Sequence, residues 1–246
     1  MVLAAASPAA AADFTPRPLL TADSSWTGLY GGINVGGFTS SGTTTWNPLP
    51  SPSLFGFDAT TSNIGTSGAA VGLQAGYNYQ LAPAWLVGFE ADATGDHTTS
   101  SALSTWTSFG TNVPLPGSYT KEIRTLEWLS TARGRFGYLL TPRTLLYFTG
   151  GAAWSGVNYA AASAAPAGPG YASSVSFTDT KMGYVLGGGV EFLTWDRWLI
   201  RGEYLYHHFD GASAVGGAAG FPGFPSGYTW SSFNIQEFRA ALSYKF

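Results

Sequence analysis

Apolar and polar residues alternate one for one along eight stretches of this chain. The clearest is the last, residues 231–246, SSFNIQEFRAALSYKF. Counting back from the end, Phe246, Tyr244, Leu242, Ala240 and Phe238 share one parity. Lys245, Ser243, Ala241, Arg239 and Glu237 share the other. A period of two is the signature of a strand, because successive side chains point to opposite faces. The apolar set runs for about ten residues, the length of a tilted membrane-crossing strand. Full charges lie on the opposite face, as in a barrel wall with lipid outside and polar groups inside. An edge strand of a soluble sandwich shows the same alternation, so the remaining stretches must discriminate.

They fall at 26–38, 66–80, 85–96, 121–140, 144–157, 179–193 and 198–209. In 26–38, Leu29, Ile33 and Val35 oppose Tyr30 and Asn34. In 66–80, Val71, Leu73, Ala75, Tyr77 and Tyr79 oppose Gln74, Asn78 and Gln80. In 85–96, Trp85, Val87, Phe89 and Ala91 oppose Glu90, Asp92, Thr94 and Asp96. In 121–140, Leu126, Trp128, Ala132, Phe136 and Tyr138 oppose Glu127, Thr131, Arg133 and Arg135. Leu146, Phe148, Ala152 and Trp154 share a face in 144–157. Met182, Tyr184, Leu186, Val190 and Phe192 oppose Lys181 and Glu191 in 179–193. Trp198, Ile200, Tyr204 and Tyr206 oppose Arg201, Glu203 and His207 in 198–209.

The connections between these stretches alternate in length. Residues 39–65, 97–120, 158–178 and 210–230 are long and rich in Ser, Thr, Gly, Pro and Ala. Residues 81–84, 141–143 and 194–197 are short turns. A sandwich has no reason to segregate its loops in this way. An outer-membrane barrel has short turns on one side, long loops on the other, and an even number of strands. Aromatics on the apolar face also mark two levels. Tyr79, Trp85, Tyr138, Phe192, Trp198 and Phe246 lie at the short-turn ends; Trp128, Trp154, Tyr184, Tyr206 and Phe238 lie eight or ten residues further on. Eight residues of tilted strand rise about 20 Å, close to the roughly 25 Å band between aromatic girdles. The pattern predicts an all-β fold: an eight-stranded antiparallel up-and-down transmembrane β-barrel over residues 26–246.

Composition sharpens this. The 246 residues are 45% hydrophobic and 15% aromatic but only 10% charged, against about 25% charged in an average soluble domain. No run reaches the roughly 18 apolar residues of a membrane helix, and strands can span lipid only as a closed barrel. A net charge of −3 gives no support for nucleic-acid binding. With no cysteine, disulfides and thiolate metal sites are excluded. Residues 1–12, MVLAAASPAAAA, read as a signal-peptide remnant by their A-x-A-like end, although a basic n-region is missing. Residues 13–25 read as an irregular lead-in.

WTGLYGGINVGG at 26–37, LEWLSTARGRFGYLL at 126–140, GYVLGGGVEF at 183–192 and the terminal YKF resemble the small outer-membrane β-barrel proteins of Gram-negative bacteria, of the OmpA and OmpX type. The resemblance covers residues 26–246. It implies an eight-stranded barrel, a surface-antigen or porin-like role, haemin binding in some members, and a terminal assembly signal, here Leu242, Tyr244 and Phe246. No loop motif carries over.

The candidate chemistry is the inward charge set: Glu90, Asp92, Glu127, Arg133, Arg135, Glu191, Arg201, Glu203, Glu237 and Arg239, with Lys245 near the end. An eight-stranded interior is just wide enough for side chains to fill. A structural salt-bridge network is therefore favoured over a narrow ion path, with Arg133 or Arg135 expected to meet Glu90, Asp92, Glu127 or Glu203. His207 and His208 are adjacent, so on a strand they point apart and cannot chelate together. Ser155, His207 and Glu203 are conceivable triad members, but nothing in their spacing is diagnostic, and an enzyme is not expected. GGG at 187–189 lies mid-strand and reads as room for larger lumen neighbours rather than a phosphate loop. The long loops are nearly uncharged and aromatic, consistent with a compact cap or a contact surface. The function expected is a non-enzymatic envelope and surface protein with loop-mediated interactions; the alternatives are a small-solute porin and a haemin binder. No cofactor or metal is expected. Lipid, lipopolysaccharide and the outer-membrane assembly machinery are the expected partners, with a monomer or weak homo-oligomer as the state.

Overall fold

The computed structural model describes residues 26–246 apart from 53–55, 166–169, 195–196 and 222, and gives the backbone but not the side chain of Asp96. The signal-peptide remnant at 1–12 and the lead-in at 13–25 lie outside the described residues, as does the inward placement of the Asp96 side chain.

Among the described residues twelve strands form: β1 (Gly28–Ser41), β2 (Thr43–Pro48), β3 (Thr60–Asn63), β4 (Thr66–Ala82), β5 (Trp85–Ser104), β6 (Tyr119–Thr141), β7 (Thr144–Ala165), β8 (Tyr171–Leu193), β9 (Trp198–Phe209), β10 (Ala212–Ala219), β11 (Ser226–Trp230) and β12 (Phe233–Lys245). Eight of them close a ring in the order β1-β4-β5-β6-β7-β8-β9-β12, with β12 returning to β1 through Tyr30↔Lys245 to Ser41↔Asn234. Every neighbouring pair in the ring is antiparallel. Closure removes the unpaired edges that lipid could not satisfy.

Outward side chains form an apolar belt: Leu29, Ile33, Leu73, Phe89, Phe136, Phe148, Leu186, Ile200 and Phe238 are all exposed. Exposed apolar area on this scale needs lipid as its solvent. At the short-turn rim the girdle is packed, with Trp85 stacked on Phe136 at 5.1 Å and Trp198 edge-on to Tyr244 at 5.2 Å.

Two expectations are corrected. The first concerns the long loops, which are largely β-structure. β5 spans 20 residues, β6 and β8 span 23 each and β7 spans 22, about twice what a crossing requires. Their outer halves stand clear of the lipid on one side of the barrel. On the other side β10 pairs with β8, β11 with β10, β2 with β11 and β3 with β2. The result is a second tier, a collar set on the barrel. The alanines at 160–165, interrupted by Ser163, are poor strand formers by propensity, but laddering with β8 from Val157↔Asp179 to Ala165↔Tyr171 satisfies their backbone, and tertiary pairing wins.

The second concerns Glu127, which does not face the lumen. β6 pairs with β7 through Leu126↔Val157 and then Trp128↔Gly156, and the register shift between them leaves Glu127 as the bulged residue. Leu126 turns inward at 3% exposure, while Glu127 and Trp128 are both exposed. A bulge adds one residue to one strand and reverses its alternation. Beyond this point the even-numbered residues of β6 face inward.

Candidate functional site: a filled lumen beneath an aromatic collar

The interior is filled in three layers. The lowest, at the short-turn end, is apolar: Trp26, Leu86, Leu139, Leu145, Leu193 and Leu199 are buried, with the rings of Tyr30 and Tyr147 above them. Trp26 precedes β1 and lies across the opening, its Nε1 donating to the Pro142 carbonyl at 3.1 Å. The inward glycines of β8 make room for the rings: a Cβ on Gly189 would come within 2.7 Å of the Tyr147 hydroxyl. The mid-strand GGG is thus occupied by lumen neighbours.

The middle layer is ionic. Arg133, fully buried, pairs with Glu90, with Asp92 at 2.8 Å and with Glu203 at 3.1 Å. Arg239 pairs with Glu203 at 2.7 Å and Asp92 at 3.1 Å. Arg201 joins Glu90 at 2.7 Å to Glu191 at 3.2 Å. Arg135 pairs with Glu191 and lies 4.1 Å over the Tyr147 ring. Four guanidiniums therefore meet four carboxylates, and no net charge is left in this layer. Hydroxyls complete it: Tyr30 donates to Glu90 at 2.6 Å, Tyr147 to Glu203 at 2.7 Å and Thr131 to Asp92 at 2.7 Å. Desolvation makes any unpaired charge here expensive, so closing the network is what allows these charges to be buried.

Of the eleven charges assigned inward from sequence, eight form this layer, and Lys245 lies half-buried at the end of β12. Glu237 stands just above it and meets His207 at 3.2 Å; Glu127 is outside. Neither Tyr30 nor Tyr147 was recognised as a network member. Their signal was parity, since each sits one position from a lipid-facing residue, Leu29 and Leu146.

The conceivable triad is not assembled. The Ser155 hydroxyl donates to the Trp128 carbonyl at 3.0 Å, His207 pairs with Glu237, and Glu203 is held by Arg133 and Arg239. The histidines do not converge: His207 is buried in the lumen, His208 stacks on Tyr184 at 5.2 Å on the outward face, and His97 is exposed on β5.

The top layer fills the collar with aromatics. Trp46 of β2 stacks on Trp106 at 4.3 Å, and Tyr171 meets Trp106 edge-on at 5.4 Å. Tyr159 contacts Trp230 at 5.1 Å, and Phe209 stacks on Phe233 at 5.3 Å. Each indole Nε1 of the central pair finds a hydroxyl, Ser226 for Trp46 and Thr120 for Trp106, both at 2.8 Å. Two charged residues are buried here, beyond the Trp128 girdle. Arg124 donates to Ser40 at 2.9 Å and lies 4.3 Å over the Phe233 ring. Burial pulls its guanidinium down to about 10. Burial also pushes Glu122 up to about 7, against a hydrogen bond from Thr44. Sequence alternation counted from Arg133 would put both residues outside; the Glu127 bulge brings them in.

The outer membrane protein β-barrel domain model matches residues 1–246. The chain is 32% identical over 225 residues to the 31 kDa outer-membrane immunogenic proteins of Brucella melitensis biotype 1 and of Brucella suis biovar 1, covering 90% of this chain and 84% of each relative. Among solved structures, the outer membrane protease OmpT of Escherichia coli aligns with 89% of this chain and 97% of its own at 11% identity and a TM-score of 0.44. By the family model matched end to end and the identity shared with those relatives, this chain belongs to the outer membrane β-barrel protein family and resides in the bacterial outer membrane.

Proposed function

We propose that the protein is a non-enzymatic surface protein whose barrel is a closed, non-conducting scaffold and whose collar makes the contacts outside the cell. The observation that carries this is the ionic layer: Arg133, Arg135, Arg201 and Arg239 are each paired to carboxylates across the lumen. A conducting filter keeps charged groups hydrated and available along a continuous path. Here they pair with each other, with an apolar layer below and a largely aromatic one above. On this reading the partners are lipid and lipopolysaccharide around the wall, the assembly machinery at the carboxy-terminal strand, and molecules that meet the collar.

Purified full-length protein reconstituted in a planar bilayer is the direct test. No steady conductance is expected at moderate voltage. Steady nanosiemens-scale openings would sink the scaffold reading in favour of the porin-like one.

A further inference from the structure

The outer wall of the collar carries a trough of about 270 Å³ that crosses β2, β11 and β10. It follows one rung of the sheet, Val215↔Gly227↔Asn47, and the rung beside it, Ser213↔Thr229↔Thr45. Leu49 forms one wall and Val215, exposed, the other. The polar lining is uncharged: the Asn47 carboxamide and the hydroxyls of Ser213 and Thr229, with Ser213 donating to Thr229 at 3.3 Å. Tyr228 contributes only its backbone, because its ring is buried and its hydroxyl donates to Ser163 at 2.8 Å inside the collar.

Gly227 is what leaves the trough open. Glycine weakens a strand interior and calls for a reason. Backbone conformation supplies none, since Gly227 is not among the residues with positive φ. Packing supplies none either: a Cβ there would meet the Asn47 carbonyl at 3.4 Å and Leu49 Cδ1 at 3.5 Å, both ordinary contacts. What a side chain would do at this position is fill the trough.

We infer that this trough binds a neutral sugar unit of the lipopolysaccharide saccharide chains that surround the protein in its own membrane. Hydroxyl and carboxamide groups between apolar walls suit a ligand with hydroxyls on its edges and C–H groups on its faces. Among the described residues no carboxylate, guanidinium or ammonium lines the trough, which disfavours a phosphate or an acidic sugar. The trough opens sideways from the outer wall of the collar. Val215 lies nine residues beyond Tyr206, about 23 Å of rise along tilted strand, above the lipid and among saccharide. The inference rests on the proposed function only in taking the collar to stand outside the cell.

The test uses the full chain in detergent micelles and the water-soluble saccharide released by mild acid from smooth lipopolysaccharide. Saturation-transfer NMR is expected to show magnetisation reaching the sugar protons. Gly227→Val should reduce that transfer at least tenfold. Gly217→Val, on β10 at a position where an added Cβ meets nothing within 4 Å, should leave it unchanged. Both variants are scored only after they show heat-modifiable migration. Absence of transfer to the wild type, equal transfer to Gly227→Val, or transfer to sialyllactose in place of the bacterial saccharide would each overturn the inference. Saccharide binding by a barrel that also conducts would uphold the trough while removing the scaffold reading.

Discussion

Arg133 shows how a single residue holds the lumen together. It is fully buried and contacts three carboxylates from β5 and β9. Arg133→Met would leave Glu90, Asp92 and Glu203 short of one cation, and breaking a buried pair by removing one partner costs about 3–5 kcal/mol. A large drop in the urea unfolding midpoint is expected. Lys121→Met, at an exposed outward position of β6, should stay within about 0.5 kcal/mol of the wild type. Equal midpoints for the two variants would contradict the central place given to Arg133. Glu122 is the opposite case, a buried acid in a largely aromatic tier. Its folded-state value is raised to about 7 from 4.5, so the folded protein keeps a proton that the unfolded chain has lost. This group's contribution is therefore fully present below pH 4.5 and fades as pH rises to 7, by something on the order of 2 kcal/mol. Unfolding midpoints of wild type and Glu122→Gln measured at pH 5 and pH 8 check this. The wild type should lose more stability than the variant between the two, and parallel losses would count against a neutral Glu122.

At the scale of elements, the Glu127 bulge decides which face of β6 the collar receives. Below it the odd-numbered Thr131, Arg133 and Arg135 point inward; above it the even-numbered Glu122, Arg124 and Leu126 do. The side chain of Glu127 has little to do, being exposed, and Glu127→Ala should be nearly neutral. Deleting the residue takes out only the extra one: Leu126 and Trp128 would then pair with Val157 and Gly156 as consecutive rungs, and Glu122, Arg124 and Leu126 would keep the inward side. The deletion and the alanine variant should therefore both keep the heat-modifiable folded band. Loss of that band in the deletion variant alone would show that the collar needs the bulge itself and not only the side it sets. The same reversal explains why Glu122 and Arg124 were not legible as interior residues: alternation is readable along a strand, but an extra residue that belongs to neither face leaves no mark in a one-chain pattern.

For the whole molecule, ring closure depends on the last strand. β12 pairs with β1 on one side and β9 on the other, and the Phe246 amide donates to the Leu29 carbonyl at 2.9 Å beside the Tyr244 ring. Leu242, Tyr244 and Phe246 present one lipid-facing row at the short-turn end, the row we propose the assembly machinery reads. Deleting Phe246 should lower the folded fraction recovered in the outer membrane and leave periplasmic aggregate. Wild-type yield in the membrane would remove that role from Phe246. The collar adds a second level of order, because the tall side of the ring, β5 to β8, would otherwise expose inward aromatics such as Tyr159 and Tyr171. β2, β3, β10 and β11 close over that gap and bring Trp46, Tyr228 and Trp230 to cover them.

Period-two alternation, aromatic spacing and the contrast between long and short connections were enough to specify the eight-stranded ring, its lipid face and nearly all of its inward charges. These are local properties, repeated in every strand and imposed by lipid on one side and a narrow lumen on the other. Three features needed the tertiary structure. Which arginine meets which carboxylate depends on pairing across the lumen between strands far apart in sequence, as Arg201 and Glu90 are. The inward turn of Glu122 and Arg124 depends on one bulge. The collar depends on backbone hydrogen bonds between Ala-, Ser- and Thr-rich segments whose own propensities are weak, so those segments read as loops until their partners in β8, β10 and β11 are in place.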